Sequence, residues 1–470
     1  MSIRQFCYER RVDMMNIKVD SRKVVKGDTF VAMRGVNSDG HSYIKQAIEN
    51  GASMIVAETG QYEVPTLIVK DTREYLTKYL KEKYSDVLKD ITFIGITGTN
   101  GKTTSCYLIY KLLNLLGKKT AYIGTIGFYI EDEIETLQNT TPEILDLYEM
   151  FLRCKEKNVE VIVMEVSSHA LSYGRVEGIT YDYAVFTNLT QDHLDYHKTL
   201  NNYMKAKQKL FKKVKKNGLV LVNGDDDNYK HFLLDNENVI YGFSNESDYK
   251  ILDYKLEINK TTFDLKVNDQ TFHITTKLVG KYNIYNYLVC LIIANKMGYS
   301  IEEITKKNDF ITSPPGRMDG IKYKNSMIFV DYAHTPDAVS NVLNGVNSYK
   351  KDRIITIVGC GGDRDRMKRP IMGAIATELS DYVIFTNDNP RTEDEKQIMN
   401  DIVSGLKTDN YEIIHDRKRA IEKGVDMLDG EDILLILGKG HENYQIIGKE
   451  KMFHDDREHV KKYIEKKQEV

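Results

Sequence analysis

Along most of the chain, apolar runs of strand length alternate with longer segments of helical periodicity, the sequence form of α/β units on largely parallel sheets. Near the start this alternation predicts a strand at Thr29 to Met33, a helix near Ser42 to Asn50 and a strand at Ser53 to Ala57. The polar stretch KEKYSDVLKD, Lys81 to Asp90, reads as a link to a second domain. From Ile91 the pattern predicts a strand, a Gly-rich turn, a helix to about Leu116, and strands near Val161 to Val166 and Ala184 to Asn188. Pro314 to Gly316 punctuates the chain strongly, and strands recur at Met327 to Asp331, Ile354 to Val358, Tyr382 to Thr386 and Ile433 to Leu437. Three α/β domains are therefore expected, at residues 1–90, 91–313 and 314–470, with no repeat or low-complexity tract between them.

The strand-to-helix turn ITFIGITGTNGKTT, Ile91 to Thr104, carries the strongest chemical signal. A Gly-rich loop that ends in Lys-Thr-Thr and opens a helix is the layout of a nucleoside-triphosphate phosphate site. Gly98 and Gly101 let backbone N–H groups close around phosphate oxygens, with Thr99, Asn100 and Thr104 in the same loop. Lys102 can reach the outer phosphates, and the Thr103 hydroxyl can ligate Mg²⁺. Ile96 stands where the common eight-residue version has its first glycine, which argues against the ordinary kinase or GTPase subtype. ATP is the expected nucleotide.

Composition narrows the class further. A hydrophobic content of 41%, 29% charged residues and a net charge of −3 describe an ordinary globular enzyme with no electrostatic case for nucleic acid. No stretch approaches the ~20 apolar residues of a membrane span, and the opening MSIRQFCYERRVDMM lacks the apolar core of a signal peptide. A cytoplasmic monomer with small-molecule partners is expected. Cys7, Cys106, Cys154, Cys290 and Cys360 are scattered without a C-x-x-C pair, so neither a disulfide framework nor a zinc site is expected.

Two further stretches bear ligand-type side chains. In VIVMEVSSHAL, Glu165 ends a buried-looking strand, where a parallel sheet presents groups beside its phosphate loop and a carboxylate can hold Mg²⁺. TNLTQDHLDYH places Asp192, His193, Asp195 and His197 in one loop, beyond what solvent exposure requires.

Through GTNGKTT, MEVSSHAL and TNLTQDHLDYH, in that order, the sequence resembles the Mur ligase family, ATP-dependent amide-forming enzymes of peptidoglycan precursor synthesis. The resemblance covers nearly the whole chain, through DSRKVVKGDTFVAMRG, NTTPE, YMKAK, KYNIYN, PPGRMD, VDYAHTPDAV, GCGGDRDRMKRP, NDNPRTED and GKGHE. It implies a three-domain Mur ligase architecture with a central P-loop ATPase domain and a C-terminal Rossmann-like domain that closes over ATP. Within the family the pattern looks most like the members that add meso-diaminopimelate to UDP-N-acetylmuramoyl-L-alanyl-D-glutamate, by way of an acyl phosphate.

The resemblance also assigns roles. Lys102, Glu165, His193 and Lys207 would be catalytic; Thr103 and Glu165 would hold one Mg²⁺, and His193 would contribute to a second. Lys207 would carry CO₂ as a carbamate (N6-carboxylysine) near the metals, chosen over Lys205 and Lys209 because Tyr203, Ala206 and Lys207 fit the family register. Asn286, Arg317, Asp331 and His334 would contact the nucleotide. Ser21 with Arg22, Thr140, Thr141, Ser167 and Arg175 would serve the UDP-sugar substrate, and Tyr173 departs from the glutamine of some relatives. Arg364, Asp388, Asn389, Pro390, Arg391, Gly438 and Glu442 would read the amino acid, with the planar fork of Arg391 suited to the distal carboxylate of diaminopimelate. L-lysine or another amino acid stays open as the substrate, and so do a phosphotransferase and a noncatalytic ATP-binding relative.

Overall fold

The structure is a computed structural model and describes residues 16–35 and 38–468, the side chain of Asp195 excepted. The opening stretch 1–15, Cys7 included, lies outside the described residues. Two compact units divide the chain: the described residues of Met1–Cys106 with Leu113–Ile240, and those of Tyr107–Leu112 with Tyr241–Val470.

The first unit opens on a four-stranded parallel sheet, β1 (Ile17–Lys18), β2 (Thr29–Val31), β3 (Met54–Ala57) and β4 (Thr66–Ile68), paired in chain order. A helix over Thr72–Leu88 follows, capped by the Asp71 carboxylate, which accepts from the Glu74 N–H at 2.9 Å. This helix corrects the expected link at Lys81 to Asp90. Leu76, Leu80, Tyr84, Val87 and Leu88 return at helical spacing and are buried, so one apolar stripe holds a segment whose other faces are charged.

The second sheet of this unit comprises β5 (Thr92–Thr97), β6 (Thr120–Gly124), β7 (Gly127–Ile130), β8 (Glu133–Glu135), β9 (Val161–Glu165), β10 (Tyr181–Phe186) and β11 (Val214–Asn223). Their order is β11-β10-β5-β9-β6-β7-β8, parallel from β11 to β6 and antiparallel beyond it. Parallel pairing brings the C-terminal ends of β5, β9, β10 and β6 to one side, where α/β sheets bind ligands. The strand expected at Ala184 to Asn188 starts earlier and ends at Phe186. Thr187 and Asn188 leave the ladder to brace the loop after β5.

After β12 (Glu237–Gly242), the second unit builds an antiparallel meander of β13 (Tyr249–Glu257), β14 (Lys260–Val267) and β15 (Gln270–Thr276). Alternation decides it: Thr261, Phe263 and Leu265 are buried on one face of β14, and Asn268 takes φ 53° in the next turn. The last sheet has the order β16 (Asp319–Tyr323), β17 (Ser326–Asp331), β21 (Ile433–Leu437), β18 (Ile354–Val358), β19 (Tyr382–Phe385), β20 (Tyr411–Ile413). Only β16 runs antiparallel. A short hairpin, β22 (Tyr444–Ile447) with β23 (Glu450–Phe453), precedes a helix over Asp456–Gln468.

Gly316 has φ 68°, and a Cβ there would stand 2.1 Å from the His441 N and 2.2 Å from the Gly440 carbonyl carbon. Backbone cannot yield as a side-chain tip can. Gly316→Ala is therefore expected to destabilise by about 2–4 kcal/mol from left-handed strain and overpacking, seen as a lowered urea midpoint. An unchanged midpoint would show that the two loops separate at no cost.

Candidate active site

In the first unit the loop after β5 is held from outside and from within. The Thr99 N–H donates to Asn188 O at 2.8 Å, the Asn100 N–H to Asn188 Oδ1 at 2.9 Å, and the Thr187 hydroxyl to Asn100 O at 2.6 Å. Gly98 is required by packing, since a Cβ would lie 1.8 Å from Thr187 Oγ1. Gly101 takes φ 84°, and the helix over Lys102–Leu115 starts directly after it, so its first N–H groups and positive end meet the loop. Lys102 Nζ donates to Gly98 O at 2.8 Å and Thr99 O at 2.7 Å. Thr104 is buried in the first turn.

Glu165, at the C-terminal end of β9, is fully buried, and the Thr103 hydroxyl donates to its Oε2 at 2.9 Å. Tyr122 Oη donates to Oε1 at 2.6 Å, the Thr125 N–H to Oε1 at 2.9 Å, and the Thr125 hydroxyl to Oε2 at 3.2 Å. Burial and then the carboxylate push the Tyr122 phenol well up, which keeps it a donor. Tyr122 and Thr125 were not singled out in the sequence: they stand at the end of β6, two strands from the phosphate loop, a proximity that strand order alone creates.

Lys207 lies on the helix Leu200–Phe211 with its side chain buried, whereas Lys205 and Lys209 are exposed. Tyr203, Ala206, Lys207 and Leu210 share the buried stripe. Lys207 Nζ donates to Gly98 O at 2.6 Å and lies 4.1 Å from the Tyr203 ring centroid. Burial, reinforced by the Lys102 charge, holds its amine well below the usual lysine value. His193, at φ 52°, faces Asp192 at 3.4 Å and packs edge-on against His169 at 4.8 Å and Tyr203 at 6.1 Å. His197 is buried against the Ser168 hydroxyl at 3.0 Å, so it serves the packing of this loop. No group of three or more His, Cys, Asp or Glu side chains among the described residues converges as a metal site.

The residues expected at the UDP-sugar fall into two groups. Ser21 and Arg22 line a cavity of about 560 Å³ together with Gln46, Arg73, Gln138 and Glu143. Thr141 instead donates to the Glu165 backbone carbonyl at 2.8 Å and accepts from the Ser167 N–H at 3.1 Å, while Thr140 meets the Thr125 hydroxyl at 3.0 Å. Arg175 joins the groups: Nη1 donates to Thr141 O at 3.1 Å, and Nε lies 2.7 Å from Glu143, which also pairs with Arg73 at 3.0 Å.

In the second unit four loops leave the C-terminal ends of β17, β18, β19 and β21. Asp331 is buried, accepts from the Met318 N–H at 2.7 Å and the Ala333 N–H at 2.8 Å, and has its carboxyl raised by burial. The Arg317 guanidinium lies 4.9 Å above the Tyr332 ring, which packs against His334 at 4.6 Å and His441 at 5.0 Å. Burial, then Arg317, takes His441 down to about 4, and burial lowers His334 as well. Asn286 sits in the helix Lys281–Lys296 and donates to Asn283 Oδ1 at 3.0 Å.

Asp388, Asn389, Pro390, Arg391, Gly438 and Glu442 form one cluster. A Cβ on Gly438 would lie 2.6 Å from Asp388 Oδ2, and Asn389 donates to Glu442 Oε2 at 3.1 Å. Arg391 takes φ 53°, and its Nη1 donates to Gly362 O at 2.8 Å. Arg364 is exposed and donates to its neighbour's carbonyl, Asp363 O, at 3.1 Å. The hairpin β22–β23 holds this loop, a role the sequence reading missed: Gln445 Nε2 donates to Asp388 O at 2.7 Å, the Arg391 N–H to Ile446 O at 3.0 Å, and the Gly448 N–H to Arg391 O at 2.7 Å. Buried Arg369 grips both Glu393 oxygens at 2.7 Å and brings that carboxyl down to about 2. Glu395 accepts from Asn387 Nδ2 at 2.7 Å.

These clusters define an α/β protein with a phosphate loop in one unit and a mixed-charge loop cluster in the other. Three models of one family match the chain: Mur ligase family, catalytic domain, at residues 13–87; Mur ligase middle domain at 96–294; and Mur ligase, glutamate ligase domain, at 316–440. The chain belongs to the Mur ligase family. It is 43% identical to the UDP-N-acetylmuramoyl-L-alanyl-D-glutamate--2,6-diaminopimelate ligase of Fusobacterium nucleatum, over 98% of this chain and 96% of that one. The ligase of the same name from Bacillus cereus is 42% identical over 96% and 94%. A solved structure bearing that name superposes with a TM-score of 0.73 at 32% identity, covering 97% and 96%.

Proposed function

We propose that this chain is an ATP-dependent amide ligase that joins meso-diaminopimelate to UDP-N-acetylmuramoyl-L-alanyl-D-glutamate in peptidoglycan precursor synthesis. One observation carries the reading: the same chain holds the Thr103–Glu165 pair on a phosphate loop and the mixed-charge loops of Asp388, Arg391 and Glu442. A carboxylate does not condense usefully with an amine near neutral pH. The D-glutamyl carboxylate therefore first attacks the γ-phosphorus of ATP and ADP leaves; the amine nitrogen then attacks the acyl carbon and inorganic phosphate leaves.

Lys102 and the N–H groups of Gly101 to Thr104, at the open end of the helix, would hold the phosphates, with Thr99 and Asn100 bracing the loop through Asn188 and Asn286, Arg317, Asp331 and His334 serving the nucleotide. The donor set fits Mg²⁺: Thr103 and Glu165 offer hard oxygens 2.9 Å apart, and neutral donors around a buried carboxylate leave its charge for a cation to balance. His193 would contribute to a second ion. Bound Mg²⁺ would neutralise charge on the phosphoryl group in transfer. Lys207 suits carbamylation, because burial and the Lys102 charge shift it toward the neutral amine, the form that attacks CO₂ and sheds a proton, giving a carboxylate where an ammonium would repel cations. Ser21, Thr140, Thr141, Ser167 and Arg175 would serve the UDP-sugar. Arg364, Arg391, Asn389 and Glu442 would read the zwitterionic end of diaminopimelate, beside Asp388, Pro390 and Gly438. The partners proposed are small molecules and the state a cytoplasmic monomer; among the described residues no helix is long and apolar enough to cross a membrane.

The test is ADP release from ATP, Mg²⁺ and the UDP-muramoyl dipeptide with meso-diaminopimelate, L-lysine or no amino acid. Turnover is expected with diaminopimelate alone. Turnover with lysine instead would overturn the role of Arg391 and keep the ligase, whereas release without any amino acid would favour a phosphotransferase.

A further inference from the structure

The role of Lys439, which rests on the function just proposed, follows from its place between two substrate-reading residues. Its side chain is fully buried, and Nζ donates to Asn389 Oδ1 at 3.0 Å and Glu442 Oε2 at 3.3 Å. Asn389 completes the triangle by donating Nδ2 to the same Glu442 oxygen at 3.1 Å. A lysine only donates and a carboxylate only accepts, so the two fix which way the Asn389 amide points. The Ile446 N–H, donating to Oδ1 at 3.0 Å, agrees with that orientation.

We propose that Lys439 is a positioning residue that sets amino-acid specificity, by holding Glu442 and Asn389 and balancing the Glu442 charge so that the loops favour a zwitterionic distal group over a bare ammonium. Around Asn389, Lys439 and Arg391 balance Asp388 and Glu442 charge for charge, while Arg364 stands exposed to solvent. Diaminopimelate brings a neutral ammonium-carboxylate pair to its distal end, whereas lysine brings one uncompensated positive charge. Removing the Lys439 charge would leave the cluster negative and turn its preference toward lysine.

The experiment measures kcat and KM for both amino acids in the wild type, Lys439→Met, Lys439→Gln and the double variant Lys439→Met/Glu442→Gln. Gln keeps a donor to Asn389 and guards against simple loss of fold. In both single variants the diaminopimelate-to-lysine ratio of kcat/KM is expected to fall at least tenfold, mainly through KM for the amino acid, with KM for ATP within about twofold. The double variant, neutral again, is expected to recover part of the ratio. Equal losses for both amino acids, or a double variant less selective than Lys439→Met, would overturn the proposal. A wild type that turns over neither amino acid would instead overturn the ligase reading, and the role of Lys439 with it.

Discussion

Glu165→Gln is expected to lower ADP formation about a thousandfold or more while the protein stays folded. The neighbours of Glu165 make this an unusually clean substitution. The amide oxygen can replace Oε1 and keep the Tyr122 hydroxyl and the Thr125 N–H, and the amide nitrogen can replace Oε2 and donate to the Thr103 and Thr125 hydroxyls, which accept as readily as they donate. Each buried polar group keeps a partner, so the thermal midpoint should move by only a few degrees. What disappears is the charge beside the phosphate loop, on which phosphoryl transfer depends through positioned cations and donors. Lys102→Ala should match the loss of rate. The check is ADP release in parallel with thermal denaturation; turnover retained in both variants would sink the phosphate and metal assignments together.

The parts of this site that were legible in the sequence are those where one backbone feature imposes one residue type. Gly98 and Gly101 are fixed by a close approach and a positive φ, and the helix opening at Lys102 makes the loop recognisable from a dozen residues. Lys207 was reached through family register, although burial period alone places it on the core stripe with Tyr203, Ala206 and Leu210. Tyr122, Thr125, Thr187 and Asn188 stayed hidden because their roles come from strand order, and a neighbour in a parallel sheet can be distant in sequence. The same holds for Gln445 and Lys439, which act on the loop after β19 from beyond β21. Lys81 to Asp90 was read as a link because its composition is polar; most of it is the second half of the helix over Thr72–Leu88, whose stripe of five apolar positions decided its structure.

Asp456→Asn is expected to cost the second unit about 3–5 kcal/mol, the range for breaking a buried ion pair from one side. Arg417 and Asp456 are both fully buried. Nε and Nη2 of the arginine donate to the two carboxylate oxygens at 2.8 and 2.7 Å, and His454 Nε2 lies 2.7 Å from Oδ1. An asparagine would turn an amide N–H toward the guanidinium and leave a buried cation without its counter-charge. Arg417 Nη2 also donates to Leu437 O at 3.0 Å, one residue before Gly438, so the pair braces the root of the amino-acid loop. At roughly 2–4 °C per kcal/mol for a unit of this size, the midpoint should fall by about 6–20 °C. Replacing both partners, Arg417→Met with Asp456→Leu, should recover much of that loss, because no charge is then stranded. The pH dependence has a definite sign. Although burial opposes it, Arg417 and His454 hold the Asp456 carboxyl well below its ordinary value, so the pair's contribution is present in full above the unfolded value of about 3.9 and is lost as pH falls toward the folded one. The gap between wild type and Asp456→Asn should accordingly narrow below about pH 4. Denaturation midpoints at pH 3, 5 and 7 measure this directly, and a gap that widened in acid would assign the stabilisation to another group.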